Sequence, residues 1–472
     1  MSGRLWLEVE DLFEYAAHNP RLSGIQRVQF ELFRALVALD PSGTRIGFVR
    51  HDPKNLSLRI VPWADVEAVG RRLRNGNTRP EGRPREQTSG WRRSIKHVVS
   101  RLPTRLHQPL FAFLLDQRAA INSLGRLLRA AGSRAPRDDP SARERRDAGA
   151  FAAFARPGDV FLTTGAVWYQ PDYAALIRAN CTARGVRFSL LVHDIIPIRR
   201  PEWCDPCQAR LFRAWFDKVL GLADQLLSVS LASAGDIERY AAEQGRPLPG
   251  RVRVVPLGSG FETGRAPEPA TAPARPLPAP GSYALIVSTI EARKNHLLLF
   301  RVWRRLLDDM PAARVPTLVF AGRIGWMVAD LFQQLRNCDF LDGKIVLLEE
   351  PDDAELERLY EGCMFTLFPS FHEGWGLPAT ESLAFGRPCI ISNTTSLPEA
   401  GGKLARYFDP DSTTDAYAVI RDALSDPPAL AAWRAQVAAQ FRPVSWRETA
   451  TVLLDAVQAA APAGDASATK SK

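Results

Sequence analysis

The sequence predicts an α/β protein made of two successive parallel-sheet domains. Three observations carry that reading. Strand-like and helix-like segments alternate through two separate stretches of the 472-residue chain, as they do in parallel sheets. Between those stretches, residues 262–282 (ETGRAPEPATAPARPLPAPGS) are so rich in proline and alanine that a linker is expected. Residues 368–402 then read as strand, glycine-rich turn, short helix and strand, a unit that offers a helix N-terminus to a ligand.

Taken in order, RLWLEVEDLFEY opens with a strand, and PRLSGIQRVQFELFRALVAL follows as a helix with Ile25, Val28, Phe33 and Leu36 at helical spacing. TRIGFVRHD and SLRIVPW supply two further strands. DVFLTTGA and RFSLLVHDIIP alternate with helices such as CQARLFRAWFDKVLGLA, and QLLSVSLAS, a helix through Asp236 to Ala242, and RVRVVPLGSG complete the first domain. Tyr283 restarts the alternation: YALIVSTI, EARKNHLLLFRVWRRLLDDM, TLVFAGRIGW, IVLLEE and DDAELERLYEGC lead into the 368–402 unit. SWRETATVLLDAVQAA is a final amphipathic helix. The expected boundaries are 1–261 for the first domain, with a basic insertion at about 71–150, then the linker 262–282, a second domain over 283–445, the helix over 446–461 and a disordered tail over 462–472.

Composition narrows the class. Hydrophobic content of 46% and charged content of 24% suit a soluble globular protein. No apolar run is long enough for a transmembrane helix, and the acids in MSGRLWLEVEDLFEY argue against an export signal, so a cytoplasmic location is expected. Six scattered cysteines fit a reducing compartment, and the single C-x2-C at Cys204 and Cys207 lacks the second pair that a zinc site needs.

The net charge of +9 is concentrated. Residues 71–150 hold about 19 basic and 7 acidic side chains, or +12, which leaves the remainder near −3. Nearly all those bases are arginine, interleaved with Trp91, Phe111 and Phe113, a composition suited to an anionic lipid surface. An inert arginine-rich insertion is the alternative. Nucleic acid is not expected as a partner, because no recognised binding motif accompanies the charge.

The chemistry is concentrated in FPSFHEGWGLPATESLAFGRPCIISNTTSLPEAGG. Pro378 suits the first helical position, Gly386 stops the helix and Pro388 prevents its resumption. Gly374 and Gly376 leave room for a group, most simply an anion, to approach the backbone at the positive end of that helix, with Glu381 beside it in the first turn. A carboxylate is a poor phosphate ligand but a good acceptor for sugar hydroxyls, so the unit looks built for a sugar joined to a phosphate. Within it, HEGWGLPATESLAFGRPCI resembles the signature of the retaining nucleotide-sugar transferases of glycosyltransferase family 4, two glutamates with seven residues between them, here Glu373 and Glu381. The resemblance covers most of the chain and is strongest from about Tyr283 to Asp411.

That resemblance implies a glycosyltransferase-B architecture, two Rossmann-like domains facing across a cleft, with the C-terminal helix crossing back to the first domain. It implies Glu381 as the acceptor of ribose hydroxyl hydrogen bonds and Glu373 as a contact of the transferred sugar near its C3. Arg293 and Lys294, after the strand in STIEARKNH, would neutralise the donor diphosphate as the glycosidic bond breaks, in place of a metal. The amides from Trp375 to Leu377 would share that load. His193, ending the strand in FSLLVHD, resembles the first-domain histidine that faces the sugar, and Gly24 in SGIQR resembles the glycine loop over the donor phosphates, although an N-cap region explains Ser23 and Gly24 nearly as well. Arg323, in AGRIGW, occupies the place of a basic residue close to the nucleotide.

Two signals are set aside. Asp409-Pro410-Asp411 has the form of a metal-binding D-x-D but reads as a turn and helix cap, and Glu399 in SLPEAGG reads as a surface turn. The expectation is a metal-independent, retaining hexosyltransferase with no cofactor beyond its nucleotide-sugar co-substrate. GDP-mannose is the favoured donor and dTDP-rhamnose the next. The acceptor would be a glycan or lipid-linked glycan at the cytoplasmic face of the inner membrane, in surface polysaccharide synthesis. A glucosyltransferase, a sugar-nucleotide epimerase of the same fold and a catalytically inactive glycan-binding scaffold stay open.

Overall fold

Two sheets, parallel but for one edge pair, hold all the strands of the described residues. The computed structural model describes residues 3–52, 56–75, 150–170, 172–259 and 275–459. The basic insertion (beyond its first residues), most of the proline-rich linker and the tail lie outside the described residues.

Lobe 1 is a seven-stranded sheet in the order β3-β2-β1-β4-β5-β6-β7. Its strands are β1 (Leu5–Glu8), β2 (Ile46–His51), β3 (Leu58–Val61), β4 (Val160–Thr163), β5 (Arg187–Val192), β6 (Gln225–Ser228) and β7 (Arg253–Val254). All pairs are parallel except β2 with β3 at the edge. The central strands LWLE, VFLT and QLLS are buried at every position, because helices cover both faces. Those helices include α1 (Glu10–His18), α2 (Gly24–Ala38), α3 (Trp63–Asn75), α4 (Tyr173–Asn180), α5 (Pro206–Leu220) and α6 (Leu231–Glu243).

Lobe 2 is an all-parallel sheet of six strands in the order β10-β9-β8-β11-β12-β13. It contains β8 (Tyr283–Val287), β9 (Thr317–Ala321), β10 (Ile345–Leu348), β11 (Thr366–Phe368), β12 (Cys389–Ser392) and β13 (Arg406–Phe408). Its helices include α7 (His296–Asp309), α8 (Ala329–Asn337), α9 (Asp353–Gly362), α10 (Leu377–Ala384), α11 (Leu397–Gly401), α12 (Thr413–Ser425) and α13 (Pro427–Gln440). The order reverses between β8 and β11, and the crevice beyond the carboxyl ends of such neighbouring strands is where this topology binds ligands. In lobe 1 the corresponding reversal falls between β1 and β4.

The chain returns to lobe 1 through α14 (Trp446–Ala459), whose Ala450, Leu453, Ala456 and Val457 join the lobe 1 core with Val28, Leu32 and Leu36 of α2. Gln225 Nε2 donates to the Ala456 carbonyl at 2.7 Å, and the Trp446 ring lies where a Cβ on Gly258 would fall, 2.5 Å from Cδ2. The last part of the expected linker is not loose. Arg275 forms a two-pronged ion pair with Glu355 at 3.0 and 3.1 Å, and Leu277 packs on the Tyr283–Tyr360 cluster. A buried carboxylate needing a partner anchors a stretch that composition alone marks as unpacked.

Candidate active site

The loops after β8 and β11 meet at the reversal point of lobe 2. The β8 loop ends in a short 3-10 turn, Ala292–Lys294, followed by Asn295 in the left-handed region (φ 56°). Asn295 is held there by its side-chain amide, which donates to Pro410 O at 3.0 Å. The turn therefore places Arg293 and Lys294 ahead of α7 rather than within its first turn, where the helix dipole would oppose them.

Both cations converge on Glu373. Lys294 Nζ lies 2.5 Å from Oε1 and Arg293 Nη1 3.0 Å from Oε2. Arg293 Nη2 also reaches Glu291 at 2.6 Å, and Arg293 donates to the His372 carbonyl. Burial pushes the Glu373 carboxyl up, but Lys294 and then Arg293 outweigh it and bring the pKa down to about 2. Burial would lower the Arg293 guanidinium, yet Glu373 and Glu291 hold it above its ordinary range. The result is a fixed, charged triad of two cations and one anion. Its backbone is pinned as well: Glu373 N–H donates to Thr395 Oγ1, and the Ser396 hydroxyl donates to the carbonyls of Glu373 and Trp375.

Glu381 lies in α10, which begins at Leu377 with Pro378 second, so the carboxylate sits one residue further along the helix than expected, just past the first turn. It is 6% exposed, with Tyr360 Oη donating to Oε2 at 2.9 Å and Arg27 of α2 to Oε1 at 3.3 Å. Gly376 caps α10 with φ 106° and Gly386 ends it with φ 67°, conformations that require glycine. The close approaches that Gly374 and Gly376 permit are made to protein. A Cβ on Gly374 would fall 2.6 Å from the His193 carbonyl oxygen, and one on Gly376 would fall 2.7 Å from Leu397 Cδ2. The side chains of Trp375 and Leu377 pack on the lobe 1 core, and the buried Trp375 indole N–H has no partner among the described residues. The glycine turn is thus also a contact between the lobes, which its sequence did not suggest.

From lobe 1, His193 follows β5 and donates from Nε2 to the Thr164 carbonyl at 2.8 Å. Burial, opposed by that bond and by Asp194, leaves its pKa below the ordinary value, so the imidazole is neutral with Nδ1 unprotonated. Asp194 accepts the Ile196 N–H at 3.0 Å and shapes the turn. Gly24 is the first residue of α2 and has open space where a Cβ would go, so no steric demand for glycine exists there. Gly24, Arg27, Arg323 and Glu381 line one cavity of about 270 Å³ that both lobes enclose. Gly322, just before Arg323, lies 1.9 Å from Ser288 O when given a Cβ, which fixes the ends of β9 and β8 against each other.

Further cross-cleft contacts were not visible in the sequence. Glu399 is no surface turn: its two oxygens accept the Leu231 and Ala232 N–H groups at 2.7 and 2.8 Å, capping α6 from the opposite lobe. His372 lies 3.3 Å from Asp236, Ser233 donates to the Gly374 carbonyl at 3.2 Å, and Arg27 pairs with Asp353 at 2.6 Å. No local pattern signals these positions, because each partner lies on the other lobe. The Asp409-Pro410-Asp411 segment is a turn in which Asp409 accepts the Asp411 N–H at 2.9 Å, and Ser412 caps α12.

Two α/β lobes thus bring a cation pair, two glutamates and a neutral histidine to one cleft, an arrangement shared with the glycosyltransferase-B fold. Residues 271–440 match the family model described as Glycosyl transferases group 1. The chain is 31% identical over 278 residues to the O-antigen chain mannosyltransferase B of Escherichia coli, covering 56% of this chain and 68% of that protein. The chain belongs to the group 1 glycosyl transferases, with the glycosyltransferase-B fold. It is also 29% identical over 290 residues to the serotype-specific mannosyltransferase WbdA of Escherichia coli, covering 60% of this chain but only 35% of that longer protein. In fold it resembles Anabaena Alr3699/HepE, solved in complex with UDP-glucose, with a TM-score of 0.54 at 12% identity over 97% of this chain and 99% of that one. Among the described residues, no helix is long and apolar enough to cross a membrane.

Proposed function

We propose that the protein is a retaining, metal-independent mannosyltransferase. It would move mannose from GDP-mannose to a glycan or lipid-linked glycan in surface polysaccharide synthesis. The observation that carries this reading is the Arg293–Lys294–Glu373 triad at the reversal point of lobe 2, on the cleft shared with lobe 1. The mannosyltransferase names of the two Escherichia coli relatives support the choice of sugar.

In this reading the donor base and ribose lie in the cavity along lobe 2, with Arg323 near the nucleotide and Glu381 accepting ribose hydroxyls. Glu373 has two jobs. It holds Arg293 and Lys294 in place before the donor arrives, and it accepts a hydroxyl of the sugar near C3. The two cations and the backbone amides from Trp375 to Leu377 face the diphosphate, where charge develops as the bond to C1 breaks. The acceptor oxygen attacks C1 on the face that the phosphate leaves; the O–C1 bond forms, the C1–O–phosphate bond breaks, and the acceptor proton passes to the departing phosphate oxygen. No side-chain nucleophile is used. His193, neutral and with Nδ1 as an acceptor, bonds a hydroxyl of the sugar. Gly24 leaves room over the phosphates. The acceptor would enter along lobe 1, and the basic segment at about 71–150 would meet the anionic membrane surface.

A thermal-shift series across GDP-mannose, UDP-glucose and dTDP-rhamnose tests the donor, since a bound donor stabilises the folded chain by mass action. GDP-mannose should give the largest rise. The anomeric configuration of the product, read by proton NMR, should match that of the donor, and inversion would refute the retaining mechanism.

A further inference from the structure

The rim of the cleft on the nucleotide side is closed by a side chain from the opposite lobe. Arg27 sits in the first turn of α2, where its N–H donates to Ser23 O at 2.8 Å. Its guanidinium crosses the cleft and takes two carboxylates of lobe 2 at once, Asp353 Oδ1 at 2.6 Å and Glu381 Oε1 at 3.3 Å. Asp353 begins α9 and Tyr360 lies two turns along it, so α9 and α10 present their polar groups to one guanidinium. Burial and then Glu381 keep the Tyr360 phenol far above its ordinary range, so it remains a donor to Oε2. Burial would lower the Arg27 guanidinium, but Asp353 and Glu381 outweigh it and secure its charge.

Glu381 therefore has one oxygen fixed from within lobe 2 and the other fixed from lobe 1. Without Arg27, the Glu381 and Asp353 carboxylates would face each other across a shared site with no cation between them, and the Glu381 side chain would be held at one end only. A planar fork with several N–H groups can bridge the two carboxylates, whereas a lysine ammonium is a single point of charge. Glu381, Arg27 and Gly24 all line the same cavity of about 270 Å³.

We propose that Arg27 is a positioning residue that ties recognition of the nucleotide's ribose diol to closure of the lobes. Its guanidinium orients the Glu381 carboxylate for the 2′ and 3′ hydroxyls only when lobe 1 is seated on lobe 2. The inference rests on the reading of Glu381 as the ribose acceptor. It adds lobe closure as a condition for a diol to be recognised.

The test is binding of GDP and UDP, each beside its 2′,3′-dideoxy analogue, by calorimetry on the full chain. For the nucleotide that binds more tightly, the wild-type chain should favour the diol by about tenfold, the worth of a hydroxyl bond to a charged acceptor. In Arg27→Ala that ratio should fall close to one, and in Arg27→Lys it should be partly kept. Thermal unfolding of both variants establishes that they are folded. If Arg27→Ala weakens diol and dideoxy forms equally and keeps the ratio, Arg27 is merely structural and the proposal fails, while loss of the ratio in Glu381→Gln would leave the ribose reading intact. If Glu381→Gln keeps the ratio, or the wild type shows none, the ribose reading itself fails.

Discussion

Replacing Lys294 with methionine removes the nearer of the two cations on Glu373 while keeping a side chain of similar length. The Glu373 carboxyl stands at about 2 against an ordinary value of 4.5. A drop of that size corresponds to ~3 kcal/mol of preference for the charged form. Lys294 is the largest stabilising influence and Arg293 the next, so the substitution should cost about 2 kcal/mol at neutral pH, with Arg293 retaining the rest. A carboxyl held below its unfolded value stabilises the fold above pH 4.5, and that contribution is lost as pH falls towards 2. Urea denaturation followed by tryptophan fluorescence from pH 7 downward should show a smaller acid-dependent loss in Lys294→Met than in the wild type. Adding Glu373→Gln and the double variant completes a cycle, in which the coupling between the two side chains should exceed ~1 kcal/mol. A coupling near zero, with an unchanged pH slope, would refute the triad as a preorganised unit.

Other consequences are open to direct measurement. Gly322→Ala places a methyl 1.9 Å from the Ser288 carbonyl oxygen at a φ of +152°, and should lower stability by about 3 kcal/mol or more; an unchanged melting temperature would contradict that close approach. Because burial keeps His193 neutral, turnover should be flat between about pH 6.5 and 8, and a titration through that range assigned to His193 by its loss in His193→Gln would be inconsistent with a neutral imidazole. Glu399→Ala removes the cap on Leu231 and Ala232, so a cost of about 1 kcal/mol and a larger radius of gyration by small-angle scattering are expected. A radius equal to that of the wild type would show that Glu399 does not help hold the lobes together.

The two sheets were legible because their central strands are short, apolar and bounded by turns, which is what burial on both faces demands. LWLE, VFLT and YALIV could be placed from residue type alone. The helix Glu10–His18 was not, because Glu10 and Asp11 interrupt its apolar pattern and are buried only by virtue of distant partners, Arg50 on Glu10 and Tyr169 on Asp11. The site shows the same division. The paired glutamates and the Arg293–Lys294 pair could be found in sequence, since each pair lies within one local unit. That all these groups but Glu381 would meet in one triad could not, because the two loops join only through the reversal of strand order. Gly374 looked like a place for a ligand to approach, and the residues that occupy the space, His193 and Asp194, belong to the other lobe. Arg27 and Glu399 were obscured for the same reason: their partners lie across the cleft, and no local pattern points to them.

In the proposed reaction, Glu373 and the two cations beside it drive loss of the diphosphate from a nucleotide sugar. Release of GDP from GDP-mannose in the presence of a mannose-terminated glycan acceptor should be measured for the wild-type chain and for Glu373→Gln, together with GDP affinity. Turnover by the wild type is expected, with a loss of about a hundredfold or more in the variant and GDP binding retained because Arg293, Lys294 and Glu381 remain. Equal turnover in a folded Glu373→Gln variant would contradict this role of Glu373.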